Sequence, residues 1–344
     1  MKKRPSIHDI ATHLKVSATT VSFVLNGKAE EMRISDAVAK KILKYADAVS
    51  YRPNLVAKSL RTGKSRIIGM MVEDISDPFF AAISRGIERI AYKLGYKIFF
   101  ASTENGTDNA KGLLKVFKER QVDAYIIAPP PDFGSEIQSL MDDGKPVVLF
   151  DRYFPELNTN NIVVDNYEGS FKAVSYLQEQ GFCNIGFITL DSDQSQMNDR
   201  LLGYTDAVKR QGKTKQILKI PYLMSTSEAI EQMKIFLSRY KTLDAVLFGT
   251  NYLTLEGLDA IRGLAMGIPQ DIGIISFDDS PVFHLLTPAV TAIAQPIQQI
   301  AEAVVNKMMW CLDNVETNAN SETLVLSTSL IIRDSAVREK ETII

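Results

Sequence analysis

Short hydroxyl side chains are concentrated between residues 17 and 22, where they begin a predicted helix. Ser17 is a typical helix N-cap, the first turn after it presents Thr19 and Thr20, and Ser22 lies one turn on. The free amides of a helix N-terminus bind phosphate groups, and hydroxyl groups add hydrogen bonds to phosphate oxygens. In a helix-turn-helix unit the first residues of the second helix contact base edges in the major groove. The pattern therefore indicates contact with DNA.

A second group of polar side chains follows apolar runs in the C-terminal half. Asn251 and Asp278 each come at the end of a run with the length of a buried strand, and Arg200 is predicted to open the helix after such a run. Ligands of open α/β sheets bind at the carboxyl ends of the strands, so we expect these side chains to converge. A guanidinium, an amide and a carboxylate together can bind neighbouring hydroxyl groups. Capping of the next turn is the alternative role for Asp278.

Residue patterns for catalysis are weak. The chain has three histidines, and no Gly-x-Gly-x-x-Gly follows a strand, which argues against a dinucleotide-dependent oxidoreductase. The Gly-Lys-Ser at 63–65 lacks the earlier glycine of a phosphate loop. Cys183 and Cys311 are far apart, so they form neither a disulfide framework nor a Cys-x-x-Cys pair. The sequence therefore predicts no enzyme, no metal site and no cofactor.

The charge of the chain is divided unequally. The 344 residues carry 39 Lys and Arg against 41 Asp and Glu, a formal net charge of −2. Residues 1–66 hold 14 basic and 5 acidic residues, or +9, and the remainder therefore carries −11. Such asymmetry predicts that the basic part alone contacts a polyanion. No run approaches the ~20 apolar residues of a membrane helix and the basic start leads into no signal peptide, so we expect a cytoplasmic protein without a membrane partner.

The predicted N-terminal elements are three short helices within residues 1–50. Ser17 and Ser35 are placed as the caps of the second and third helices, and Asn26-Gly27 ends the second. This spacing fits a helix-turn-helix unit; a generic three-helix domain is the alternative, and the basic charge favours DNA. Residues 51–65 form a linker whose helical middle is too short to persist alone in water.

From residue 66 onward, short apolar runs alternate with helix-length amphipathic segments, which is typical of repeated βαβ units. We predict two lobes, each a parallel sheet covered on both faces, with a ligand cleft between them. Lobe one is assigned to about 66–161 and 293–322, and lobe two to about 162–292 and 323–344. The apolar run 162–164 is thereby placed in lobe two.

Six segments in a fixed order carry a family resemblance. They are IHDIA at 7–11, VSATTVSFVLNG at 16–27, YRPNLVAKSL at 51–60, DISDPFF at 74–80, NDRLLGY at 198–204 and SFDD at 276–279. The chain resembles the lac/galactose repressor family over essentially its whole length. The resemblance implies an N-terminal all-α helix-turn-helix domain at 1–50, a hinge helix at 51–65 and a two-lobed periplasmic-binding-protein-like α/β core at 66–344. It also implies a homodimer on double-stranded operator DNA, controlled by a small sugar-like effector and most often acting as a repressor.

The resemblance implies roles for individual residues in DNA binding. Backbone phosphates would be held by Ser6, Ser17, Thr20, Ser22 and Asn26, bases would face Ala18, Thr19 and Phe23, and the hinge would contribute Asn54, Ala57, Lys58 and Leu60. Leu60 is expected to enter the minor groove as an apolar wedge between base steps; packing on the core is its alternative.

The predicted effector-binding residues are Asp77, Phe79, Arg200, Tyr222, Asn251 and Asp278. Asp77 and Pro78 have the pattern of a helix start, which places Phe79 at the mouth of the cleft. Phe79 and Tyr222 are candidates for stacking on the effector, although packing of Phe79 with Phe80 in the core is an alternative.

Departures from the family pattern affect the expected ligands. Phe23 stands where many members have Arg or another polar residue, so a thymine methyl is a suitable contact and a bidentate guanine contact is not. Tyr252 stands where Asp is frequent, so the ligand need not be a typical one. A regulator that responds to a nucleobase is an alternative. The tail 334–344 has no leucine heptads, which predicts a dimer rather than a tetramer. The competing class is an extracytoplasmic solute-binding protein, which would need a secretion signal and would not use residues 1–60.

Overall fold

The computed structural model describes residues 5–51, 63–314 and 321–338. The chain divides into two compact units, Met1–Ser65 and Arg66–Ile344. The hinge predictions for Asn54, Ala57, Lys58 and Leu60 lie outside the described residues.

The N-terminal unit contains three helices in its described part, α1 (Ile7–Leu14), α2 (Ala18–Leu25) and α3 (Asp36–Ala48). Their apolar faces meet in a small core in which Ile10, Val21 and Ile42 are fully buried. Ser35 occupies the N-cap position of α3 but makes no capping hydrogen bond with its side chain. The predicted all-α arrangement is confirmed.

The described part of the second unit alternates strands and helices. The strands are β1 (Ile67–Val72), β2 (Lys97–Ser102), β3 (Ala124–Ile127), β4 (Val147–Phe150), β5 (Asn160–Val164), β6 (Ile185–Leu190), β7 (Gln216–Ile220), β8 (Ala245–Phe248), β9 (Gly273–Phe277), β10 (Thr291–Ala294), β11 (Thr323–Leu326) and β12 (Ser329–Ile331). The α-helices are α4 (Pro78–Lys93), α5 (Thr107–Glu119), α6 (Gly134–Asp142), α7 (Asn166–Glu179), α8 (Ser195–Arg210), α9 (Thr226–Arg239), α10 (Asn251–Gly263) and α11 (Ile297–Asp313). None of the helices within the described ranges is long and apolar enough to cross a membrane.

The strands form two sheets of the same topology. The first sheet has the order β11-β5-β4-β3-β1-β2, and the second has the order β12-β10-β9-β8-β6-β7. All neighbouring strands are parallel except β10 and β12, which are antiparallel. In each sheet the order reverses beside the first strand, between β1 and β3 and between β6 and β8. Ligand sites of open α/β folds lie outside the carboxyl ends of the strands at such a reversal.

The predicted assignment of two strands to lobes is wrong. Residues 162–164 belong to β5, which pairs with β4 through Val148 and Asn160, and β11 pairs with β5. Ile162 and Val164 accordingly lie in the apolar core of the first sheet. The chain therefore crosses between lobes after β5, after β10 and after β11. An apolar run predicts a buried strand, but its partner is decided by tertiary pairing, which the sequence pattern does not contain.

The close packing of α7 against α8 depends on a glycine. A Cβ atom at Gly203 would lie 2.2 Å from the carbonyl oxygen of Tyr167, well inside van der Waals contact. Because α8 also carries Arg200, this close contact fixes the helix that presents the guanidinium to the cleft.

Candidate functional site

Helix α2 begins with the hydroxyl groups that the sequence singles out. The Ser17 hydroxyl oxygen accepts a hydrogen bond from the Thr20 amide at 2.9 Å and lies 2.8 Å from the Thr20 hydroxyl oxygen. Val21 and Val24 anchor the opposite side of the helix in the core, and Thr19 is exposed. The first turn of α2 is thus capped by Ser17 and presents the exposed side chains of Ser17 and Thr19.

The other predicted DNA-contacting residues of this unit make local hydrogen bonds. The Ser6 amide donates to the Asp9 carboxylate at 2.7 Å, and the Asp9 amide donates to the Ser6 hydroxyl oxygen at 3.2 Å, which forms a capping box on α1. The side-chain amide of Asn26 donates to the carbonyl of Ser22 at 2.7 Å. Ala18 and Phe23 are partly buried. These contacts show capping and turn formation, and the DNA roles remain predictions.

A pocket lies between the lobes at the carboxyl ends of their strands. Lobe one contributes Glu73, Asp77, Phe79, Phe80 and Asp151. Lobe two contributes Gln196, Arg200, Thr250, Asn251, Tyr252 and Asp278, with Leu190 and Met197 as apolar contacts. The structure therefore brings together five of the predicted effector residues, and Tyr222 is the one that does not line the pocket.

Arg200 is the central cation of lobe two. Its Nε donates to the Asn166 side-chain oxygen at 2.8 Å, and its Nη1 donates to the Gly249 carbonyl at 2.7 Å. The guanidinium carbon lies 3.6 Å from the centre of the Phe277 ring, and the residue is 2 % exposed. Arg200 does not open its helix as predicted, because α8 begins at Ser195 and places Arg200 in its second turn.

Asp278 follows β9 in a left-handed backbone conformation with φ of +70°. One carboxylate oxygen accepts from the Gln295 side-chain amide at 2.6 Å, and the other lies 3.5 Å from Nη1 of Arg200. The neighbouring Asp279 pairs instead with Arg333 at 2.7 Å. The two adjacent carboxylates thus serve different arginines, and the described residues contain no group of three metal-ligating side chains close enough to share an ion.

Lobe one holds a second buried ionic cluster that the sequence interpretation missed. The Arg152 Nη2 donates to Glu73 at 2.6 Å, and its Nε lies 3.2 Å from an Asp151 oxygen. Glu73 directly follows β1, and Asp151 directly follows β4. The same rule that selected Asn251 and Asp278, a polar residue at the end of a buried strand, would have found both.

Burial raises the pKa of two pocket carboxyl groups. The pKa of Asp77 is raised to about 6 because the group is largely buried and the negative charges of Asp278 and Glu73 are near, although the Phe79 amide donates to it at 2.8 Å. The pKa of Asp151 is also raised to about 6 by burial, despite the opposing effects of Arg152 and Arg200. In both groups the effect of burial therefore outweighs the contacts that favour the ionised form.

The aromatic residues of the cleft lie on both sides of it. Phe79 is buried in the core of lobe one, with its ring 5.0 Å from that of Phe80, and it lines the pocket as well. Burial and the nearby charge of Glu73 raise the pKa of the Tyr222 and Tyr252 hydroxyl groups of lobe two. Tyr222 is not among the residues that line the pocket.

Two polar atoms at the pocket are buried without a hydrogen-bond partner among the described residues. They are the side-chain oxygen of Gln196 and the hydroxyl of Tyr252. A buried polar group without a partner costs about 1–3 kcal/mol, and a bound ligand that satisfies it recovers that cost. The pocket therefore has the properties of a binding site for a polar small molecule.

Comparisons with known proteins match both units of the chain. The family model described as bacterial regulatory proteins of the lacI family matches residues 6–54, and the periplasmic binding protein-like domain matches residues 174–336. The ribose operon repressor of Haemophilus influenzae is 27 % identical over 335 residues, which cover 96 % of this chain and 98 % of that protein.

Solved structures show the same fold. The lac repressor dimer bound to operator and the anti-inducer ONPF has a TM-score of 0.85 at 20 % identity, covering 98 % of this chain and 100 % of that chain. The complex of the transcriptional regulator CelR with cellobiose has a TM-score of 0.69 at 23 % identity, covering 96 % and 100 %. The relatives are named as regulators and not as enzymes, in agreement with the sequence prediction. The chain therefore belongs to the lac/galactose repressor family of DNA-binding transcription regulators.

Proposed function

We propose that the protein is a cytoplasmic, homodimeric repressor whose affinity for a palindromic operator is controlled by a sugar-like effector in the interlobe pocket. The observation that carries the proposal is the presence, in one chain, of helix α2 with its Ser17-capped first turn and of an interlobe pocket in which Gln196 and Tyr252 have polar atoms without a partner among the described residues. A dimer suits the helix-turn-helix unit, because two-fold symmetric proteins bind half-sites one helical turn apart.

The chemistry of the pocket favours a polyhydroxylated ligand. Carboxylates from both lobes accept hydrogen bonds from hydroxyl groups, and the amide of Asn251 both donates and accepts. Phe79 supplies an apolar surface for a sugar ring. Among the relatives, one is named for a ribose operon and another is solved with cellobiose. A nucleobase is the second candidate, since Phe79 would also stack on a planar base.

The proposed mechanism is a change in the angle between the lobes. Direct contacts already join them, because the Gln194 side-chain amide donates to Asn105 at 3.1 Å and to the Pro129 carbonyl at 3.3 Å. An effector that contacts both Asp77 and Arg200 stabilises one lobe angle over others. That difference in lobe angle is transmitted to residues 51–65, which join the core to the N-terminal unit, and it alters operator affinity.

A gel-shift measurement tests the proposal. The full chain and a variant lacking residues 1–65 are titrated onto DNA from the region upstream of the protein's own gene, with unrelated DNA of equal length as the control. We expect specific binding by the full chain and none by the truncated chain. If the full chain binds both DNAs equally at physiological salt, the proposed operator function is wrong.

A further inference from the structure

The wall of the pocket carries an excess of negative charge. Among the described residues that line it, Glu73, Asp77, Asp151 and Asp278 are carboxylates, whereas Arg200 is the one cation. Arg152 lies behind Glu73 and Asp151 and adds a second positive charge close by. With every carboxylate ionised, the site and this arginine together carry a charge of −2.

Both arginines already pair with carboxylates of the protein, while Nε of Arg152 has no hydrogen-bond partner among the described residues. Arg200 donates to Asn166 and Gly249, with Asp278 at 3.5 Å. Arg152 donates to Glu73 at 2.6 Å and lies 3.2 Å from Asp151. A phosphate or carboxylate on a ligand would therefore have to compete with a carboxylate of the protein for either guanidinium.

Two unsatisfied polar atoms of the wall can accept hydrogen bonds, the Gln196 side-chain oxygen and the Tyr252 hydroxyl, of which the hydroxyl can also donate. The buried Gln196 oxygen has no donor among the described residues, and Asp77 has the Phe79 amide as its donor at 2.8 Å. Ligand hydroxyl or ammonium groups supply donors to such oxygens, whereas anionic groups are acceptors without donors. The hydrogen-bonding inventory and the charge thus point to the same ligand class.

We propose that the pocket takes an effector that is rich in hydrogen-bond donors and carries no negative charge, a neutral or amine-bearing polyol, and that Glu73 and Asp151 impose this selection. The inference rests on the proposed function, and it goes further by excluding sugar acids and sugar phosphates. At a separation of about 8 Å and an effective dielectric of about 20, one carboxylate lowers the affinity for a singly charged anion roughly 30-fold.

Matched sets of sugars test the proposal on the full chain. Ribose is compared with ribose 5-phosphate, and glucose and glucosamine are compared with gluconate and glucose 6-phosphate, by thermal shift and then by titration calorimetry at pH 7.5. In any set that binds, we expect the neutral or amine-bearing member to bind at least about 30-fold more tightly than its anionic counterpart. An anionic member that binds as tightly as its neutral parent overturns the charge selection and leaves the sugar class intact. Failure of every set to bind overturns the sugar class itself.

Two variants test the residues assigned to the selection. Glu73→Gln and Asp151→Asn each remove one charge with little change of shape. In each variant the ratio of the Kd of the anionic sugar to the Kd of its neutral counterpart should fall by roughly tenfold or more. Asp143→Asn, whose carboxylate forms an exposed pair with Lys118, is the matched control and should leave the preference unchanged. An unchanged preference in both pocket variants overturns the roles of Glu73 and Asp151, and the use of two variants keeps the test valid if one of them fails to fold.

Discussion

Neutralisation of Asp278 tests whether the ionic cluster of lobe two is an integral part of the fold. Asp278 is 8 % exposed and Arg200 is 2 % exposed, so solvent screens their pair weakly. The change Asp278→Asn keeps an oxygen acceptor for Gln295 and removes the negative charge that lies 3.5 Å from Nη1 of Arg200. The buried guanidinium is then left with the neutral acceptors of Asn166 and Gly249.

The expected loss follows from the geometry of the pair. Removal of one partner from a buried ion pair costs about 3–5 kcal/mol, because the remaining charge stays buried without compensation. Since Arg200 keeps two short hydrogen bonds, we expect a decrease of about 2–3 kcal/mol in the free energy of unfolding of the core. For a unit that spans Arg66–Ile344, that corresponds to a fall in Tm of roughly 3–5 °C.

Scanning calorimetry of the full chain measures this fall, with the core transition followed in the variant and in a control. The control is Asp143→Asn, which breaks an exposed pair with Lys118 that has side-chain exposures of 57 % and 39 %. Exposed pairs contribute about 0–1 kcal/mol, so the control should change Tm by about 2 °C or less. Equal losses in the two variants would refute the reasoning that burial makes the Arg200–Asp278 pair important.

Three further predictions concern helix packing, pH and the hinge. Gly203→Ala places a Cβ atom against the Tyr167 carbonyl and should lower the free energy of unfolding by about 1–3 kcal/mol. The control Gly112→Ala, in open space on α5, should raise it by about 0.5–1 kcal/mol. Urea unfolding compares the two variants, and equal effects would contradict the packing account. Because the pKa of Asp77 is raised to about 6, the folded chain binds a proton more readily than the unfolded chain, so this group lowers the stability as pH rises from about 4 through 6. Asp77→Asn, which keeps a capping side chain, should therefore raise the free energy of unfolding by about 1–2 kcal/mol at pH 7.5 and change it little at pH 4. Thermal melts of the variant and the parent chain measure this effect, and an effect of the substitution that is the same at both pH values would contradict the assignment. Leu60→Ala should weaken specific operator binding while leaving salt-sensitive non-specific binding nearly unchanged, and an equal loss of both in a gel shift would argue against a minor-groove wedge.

The sequence predicted most elements because their burial follows a simple period. The runs of β1, β4, β6 and β8 are continuous, apolar and fully or almost fully buried, which is the pattern that predicts βαβ units from residue 66 onward. Strand β7 gives a weaker signal, because it lies at a sheet edge and its sequence, Gln-Ile-Leu-Lys-Ile, has no continuous apolar run. Strands β11 and β12 are also edge strands, and most of their side chains are exposed.

Part of the site could be predicted because its polar residues follow strands that are recognisable in the sequence. Asn251 and Asp278 were found because each follows a recognisable strand, and Glu73 and Asp151 satisfy the same rule but were not selected. Arg152 gives no local signal of its role, since its partner Glu73 is 79 residues away in the sequence. Long-range pairings of this kind depend on the order of strands in the sheet.

Operator binding measured with and without a ligand in the pocket tests the central claim most directly. The full chain is titrated onto a fluorescent fragment from upstream of its own gene, first alone and then with whichever member of the sugar panel gives the largest thermal shift, at saturating concentration. Coupling between the pocket and the N-terminal unit predicts that the sugar changes the operator Kd by about 5-fold to 150-fold. When operator is added first, the Kd of the sugar should change by the same factor. A sugar that binds the core and raises its Tm but leaves the operator Kd unchanged would contradict the account.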